Sequence, residues 1–163
     1  MGSLEHVQED GDSKSLLEFI RESGRPVPRF QEAVAALAPV FEGLHHGERP
    51  LYESLHRDSL RQLRPEVEEI AQWMSASGKA DIKTRAIELM GALGYGSFVA
   101  PLERFLRSEV QWERLTAIGA LGQITGKPAA ELLAEAAEDP DPQIRAEARR
   151  VTAGRRKTDG ATL

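Results

Sequence analysis

Ile82-Lys83-Thr84-Arg85-Ala86-Ile87-Glu88-Leu89-Met90-Gly91, Glu113-Arg114-Leu115-Thr116-Ala117-Ile118-Gly119-Ala120-Leu121-Gly122 and Ile144-Arg145-Ala146-Glu147-Ala148-Arg149-Arg150-Val151-Thr152-Ala153 align without insertion at a spacing of 31 residues. Lys83, Arg114 and Arg145 fall in one column, Ala86, Ala117 and Ala148 in a second, and Gly91, Gly122 and Ala153 in a third. A fixed period of this size marks a solenoid, in which each unit buries its apolar face against its neighbours. The small columns predict close helix approach, because glycine inside a helix costs about 1 kcal/mol relative to alanine and needs a packing reason.

Working outward, each copy reads as a helical hairpin. Asp81–Leu93 pairs with Ser97–Arg107 across the turn Gly94-Tyr95-Gly96. Gln111–Ile124 pairs with Pro128–Glu138 across Thr125-Gly126-Lys127. A last helix opens at Asp139-Pro140-Asp141-Pro142 and reaches about Ala153. Upstream, Leu51–Leu63 and a helix from Pro65 to about Met74 form a weaker pair, since proline suits a first helical turn. Gly78 is free to take a left-handed cap. In the second helices Val67, Phe98 and Ala129 share a column, as do Ala71, Leu102 and Leu133, and Met74, Phe105 and Ala136. Their spacing is the stripe a helix buries.

The N-terminal third follows no repeat. Residues 1–12 are acidic and are expected to be disordered. Ser13 or Ser15 caps a short helix carrying Leu16, Leu17, Phe19 and Ile20. Pro26 and Pro28 break it, and Phe30, Val34, Leu37, Phe41 and Leu44 then follow helical spacing. Pro39 should kink or split that stretch, and Gly43 to Pro50 is the next break. The resulting expectation is a single all-α domain over 13–154. Residues 13–50 form a helical cap, 51–154 the repeats, of which the last two and a half make one right-handed stack, and 155–163 a flexible tail.

Composition bounds the chemistry. A chain of 163 residues, 40% hydrophobic and 29% charged, suits a soluble globular protein. No apolar run approaches the roughly 20 residues that span a bilayer, and the N-terminus has no signal-peptide pattern. With no cysteine, disulfides and thiolate sites are excluded, and a cytoplasmic setting fits best. The net charge of −5 disfavours nonspecific binding to phosphate backbones.

These residues resemble the short bacterial HEAT-like repeats, the type first named from phycobilisome lyases. Asp139-Pro140-Asp141-Pro142-Gln143-Ile144-Arg145 matches the first half of that unit and Ala120-Leu121-Gly122-Gln123-Ile124 the second, while Asp81-Ile82-Lys83 is a looser copy. The resemblance covers 81–154 firmly and 51–80 weakly, with Tyr52 standing in the arginine column. It implies that Asp81, Arg114, Asp139, Asp141 and Arg145 form a structural ladder of hydrogen bonds between successive loops.

Two apparent motifs fail on inspection. Gly122-Gln123-Ile124-Thr125-Gly126-Lys127 has its glycines one residue too close for a phosphate loop and ends in Pro128. His45-His46 has only Glu42 and Glu48 nearby and reads as solvated. No catalytic, cofactor or metal residue is expected. On the outer side of the second helices, Trp73 shares a row with Arg104 and Glu135, and Ala76 with Arg107 and Glu138. An outward tryptophan beside arginine has the composition of a binding hot spot, unless residues 15–48 fold back and cover it. Trp112 is expected to pack across the inter-repeat loop. The expected function is therefore a non-enzymatic adaptor or scaffold whose second-helix face binds a protein. Glu69, Glu103, Glu131, Glu135 and Glu138 would favour a basic segment, with Arg104 and Arg107 fixing register. Nucleic acid and membrane are not expected partners. Two alternatives stand beside this one. A HEAT-like DNA-repair glycosylase or nucleic-acid binder would use Trp73, Trp112, Tyr52 and Asp81, and the family name alone suggests a lyase or chromophore-handling subunit.

Overall fold

The computed structural model describes residues 29–46 and 58–161. Every regular element among them is helical: α1 (Phe30–His46), α2 (Arg64–Ser75), α3 (Ala80–Leu93), a 3-10 turn (Gly96–Phe98), α4 (Val99–Leu106), α5 (Gln111–Leu121), α6 (Lys127–Ala136) and α7 (Pro142–Ala161). Helices follow one another in a short-looped succession, as an α-solenoid requires. The acidic 1–12 segment, the helix expected from Ser13 or Ser15, and Tyr52 lie outside the described residues. So do the side chains of His45 and His46. The chain divides into two compact units, Met1–Ile82 and Lys83–Leu163.

In the first unit α1 packs on α2. Val34, Leu37, Val40 and Phe41 of α1 and Val67, Ile70, Ala71 and Met74 of α2 are buried. Two expectations are corrected here, the helix break from Gly43 and the left-handed cap at Gly78. Pro39 lies inside α1 without splitting it, and the helix runs past Gly43 to His46. Proline forfeits one backbone hydrogen bond, and burial on both sides of it holds the remaining turns. Pro65 does stand in the first turn of α2. Gly78 is the second correction, since the positive-φ glycines are Gly94 and Gly126. The end of α2 is closed by short-range bonds, Ala76 N to Trp73 O (3.1 Å) and Ser77 N to Met74 O (3.0 Å). The Ser77 hydroxyl then accepts from Lys79 N at 3.1 Å. No left-handed residue is needed there.

The second unit is a two-layer stack in which α5 packs on α4, α6 and α7. A Cβ added to Gly91 would meet the Ala120 Cα at 2.8 Å, and one added to Gly122 would meet Val151 Cγ1 at 2.2 Å. Both contacts join a glycine to the Leu89–Ala120–Val151 column of the next repeat, so α3, α5 and α7 approach through the same register. Leu102, Ala117, Ile118, Leu121, Ala129, Leu133 and Ala148 fill the core. The turns are set by Gly94 (φ 71°) and Gly126 (φ 108°), conformations that glycine adopts without steric cost. Helix α7 continues to Ala161, well beyond the Ala153 at which apolar periodicity stops.

Candidate protein-binding face of the second helices

Helices α4 and α6 bury one side each, Pro101 and Leu102 on the first and Ala129, Leu132, Leu133 and Ala136 on the second. At a period of 3.6 residues, the remaining positions face away from that stripe. On α4 and its end Arg104 and Arg107 are exposed and Glu103 is half-buried; on α6 and its end Glu131, Glu135 and Glu138 are exposed. The structure thus brings six of the eight expected partner-binding residues into one unit. The other two, exposed Glu69 and half-buried Trp73, lie on α2 in the first unit.

Arg107 is engaged within the protein. Its Nη2 lies 3.1 Å from a Glu103 carboxylate oxygen and 3.3 Å from one of Glu135. The bond to Glu103, then the charge and bond of Glu135, hold the guanidinium above the usual arginine range. It therefore ties α4 to α6, although an exposed pair of this kind contributes little stability. Lys127 Nζ stands 3.8 Å from Glu131. Among the described residues Arg104 and Glu138 have no ion-pair partner, which leaves both charges available on this face.

The inter-repeat loops form a second polar assembly. Arg114 Nη1 donates to Ser108 O at 2.7 Å, and Arg145 Nη1 repeats that bond one period later on Asp139 O at 2.9 Å. Arg145 also reaches Pro140 O at 2.9 Å. Arg114 Nη2 also bonds across to the next repeat, at Asp141 Oδ2, 3.3 Å. Asp139 serves its own loop, accepting from Asp141 N at 2.8 Å. Asp81 Oδ1 accepts from its neighbour Ile82 N at 3.0 Å. In the arginine column Lys83 lies 3.8 Å from Glu113 of the next repeat. Trp112 is half-buried, and its carbonyl accepts from the Thr116 hydroxyl at 2.7 Å.

Apolar periodicity did not point to several of these residues. Ser108 Oγ accepts from Val110 N at 3.0 Å, so Ser77, Ser108 and Asp139 make the same turn in one column. Those are the residue types whose short side chains bond the backbone two positions on. Gln111 Nε2 donates to Asp141 Oδ2 (3.0 Å) and to Gln143 Oε1 (2.6 Å). Glu113 is 7% exposed in a column otherwise occupied by Ile82 and Ile144.

The backbone N–H of Gln143 holds the Asp141 carboxyl below the usual aspartate range. Desolvation opposes this, and bonds from Gln111, Ile144 N and Arg114 add to it. A carboxyl lowered in the folded state stabilises above its unfolded pKa of about 3.9 and loses that contribution as pH falls through the folded value. Because it loses the bonds to the Ser108 carbonyl and to Asp141, Arg114→Ala is expected to cost about 1–2 kcal/mol near neutrality, read as a drop in the urea midpoint. The penalty should shrink in acid, once Asp141 is protonated. Arg145→Ala should cost a similar amount with no such acid dependence, because its acceptors are carbonyls. A midpoint unmoved by either substitution would remove these arginines from the account of stability.

Among the described residues no three His, Asp or Glu side chains gather as a metal ion would require. No helix among them is long and apolar enough to cross a membrane. In comparison with known proteins, a family model described as HEAT repeats matches residues 67–153. No curated protein matches the chain, and no solved structure does.

Proposed function

The chain belongs to the HEAT-repeat family, and on that premise we propose that it is a non-enzymatic interaction module in the cytoplasm. Its second-helix face receives a protein segment rich in lysine or arginine. HEAT repeats in general serve as interaction scaffolds, and extended solenoid surfaces suit recognition of other chains. The Asp139-Pro140-Asp141-Pro142 loop and the Ala120-Leu121-Gly122 helix end support placement with the short repeats first named from phycobilisome lyases.

The observation that carries the reading is charge. Glu131, Glu135 and Glu138 are exposed in succession on and just beyond α6. They would attract a basic segment and repel the phosphates of nucleic acid. Arg107 is already shared between Glu103 and Glu135, so Arg104 is the cation that would fix the partner's register. Trp73 and Glu69 stand in the equivalent columns of α2, in the first unit.

The test is affinity capture from lysate of the native host by the wild-type protein, Arg104→Glu and the double variant Glu131→Lys/Glu138→Lys. Each variant is expected to reduce capture of the principal partner at least about tenfold, equivalent to 1.4 kcal/mol, with the melting temperature unchanged. Capture by the wild type should weaken as salt is raised. Equal capture by all three proteins would sink the assignment of this face. Capture of nucleic acid by the wild type would replace the partner class.

A further inference from the structure

We infer that Arg107 is a self-occluding latch on the second-helix face, seated between Glu103 and Glu135 in the free protein and displaced by the cation of an arriving basic segment. The inference rests on the proposed reading of that face and adds what holds it partly shut. Glu103 and Arg107 belong to α4 and its end, and Glu135 to the last turn of α6. One nitrogen makes both contacts: Arg107 Nη2 donates to Glu103 at 3.1 Å and to Glu135 at 3.3 Å.

Arg107 spans two repeats, but it is not built like the bonds that hold the repeats together. Those bonds recur by column, as Arg114 and Arg145 show on Ser108 O and Asp139 O. The latch does not recur. One period on, Glu103 is replaced by Ala134 and Arg107 by Glu138; one period back, Glu135 is replaced by Arg104. Exposure separates the two sets as well. The side chains of Arg107 and Glu135 are each 60% exposed, against 20% and 25% for Arg114 and Asp141. Geometry is the third difference. From Arg107 neither carboxylate receives the two parallel N–H donors that make an arginine–carboxylate pair strong.

An exposed pair of this kind biases an equilibrium by only about twofold to fivefold. Arg107 therefore fills the space between Glu103 and Glu135 without locking it. A partner arginine that offers two donors to one of these carboxylates replaces a weak internal pair with a stronger one. Ala100 and Ala134, small and exposed on the same two helices, leave the approach open. Until it is displaced, the latch lowers the apparent affinity of the face in proportion to the fraction of molecules in which it is closed.

The test uses the full chain and a short capped peptide of alternating arginine and glycine, titrated by calorimetry in low-salt buffer. Arg107→Gln should bind this peptide about fivefold more tightly than the wild type, with the melting temperature unchanged. Arg104→Gln removes the same charge from the same face but frees no carboxylate, so its gain should stay below about twofold. In protein carrying isotope-labelled arginine, the Arg107 side-chain signal is identified by its loss in Arg107→Lys. Saturation with the peptide should move that signal to the position it takes in Glu103→Gln/Glu135→Gln. Equal gains from Arg107→Gln and Arg104→Gln, or an Arg107 signal that stays still while the peptide binds, would overturn the latch and leave the binding face standing. If neither the wild type nor Arg107→Gln binds the peptide, or if Glu131→Lys/Glu138→Lys binds it undiminished, the face itself is wrong and the latch goes with it.

Discussion

Gly91→Val is expected to lower the unfolding free energy by about 3 kcal/mol, and Gly119→Ala to raise it by about 0.5–1 kcal/mol, although both add carbon to a glycine inside a helix. The sign is decided by what stands opposite. A Cβ on Gly91 would lie 2.8 Å from Ala120 Cα and 2.9 Å from Gln123 Nε2, whereas one on Gly119 would meet nothing within 4 Å. Backbone of a packed helix cannot retreat by the required distance without opening the α3–α5 contact. At Gly119 only the helix propensity changes, and alanine is the better former. Gly91→Ala should fall between the two, because about 1–3 kcal/mol of overpacking is offset by about 1 kcal/mol of propensity. Urea denaturation measures all three, and the valine variant should also melt roughly 6–12 °C lower. Shifts of the same sign at Gly91 and Gly119 would mean that close approach does not govern the glycine columns.

The stack of α3, α5 and α7 was legible in the sequence because its cause repeats every 31 residues. A helix pair that must approach closely needs a small residue at each crossing, and Gly91 and Gly122 mark those crossings without reference to anything distant. Pro39 was less legible. Its effect depends on whether the surrounding helix is held by packing, and Val34, Leu37, Val40 and Phe41 hold it. The end of α2 departs from a left-handed cap at Gly78 for a related reason, since the Ser77 hydroxyl offers a competing closure. Charges were the least legible. The columns place Arg107 on the outer face, but only geometry shows it spanning Glu103 and Glu135. A long side chain chooses among several acceptors, and the sequence does not rank them.

Glu113→Ile is expected to stabilise the protein by about 2 kcal/mol, the second largest effect foreseen here. Ile82 and Ile144 occupy the same column at 5% and 1% exposure, and Glu113 is 7% exposed. Its ion-pair partner is Lys83 at 3.8 Å, too long for a hydrogen bond. A buried pair held this loosely does not recover its desolvation cost, so an apolar side chain of similar volume is the better occupant. Two opposing terms need comparison. Glu113 lies in the first turn of α5, where a carboxylate gains about 0.3–1 kcal/mol from the helix dipole. Lys83 would lose its partner, but at 26% side-chain exposure it can turn to water at little expense. Neither term matches the burial of a full isoleucine side chain, about 1.5–3 kcal/mol. Glu113→Ala should behave oppositely and destabilise, because it leaves a cavity in place of the charge. If Glu113→Ile lowers the urea midpoint as Glu113→Ala does, the carboxylate makes an interaction in the inter-repeat seam stronger than its distance to Lys83 implies.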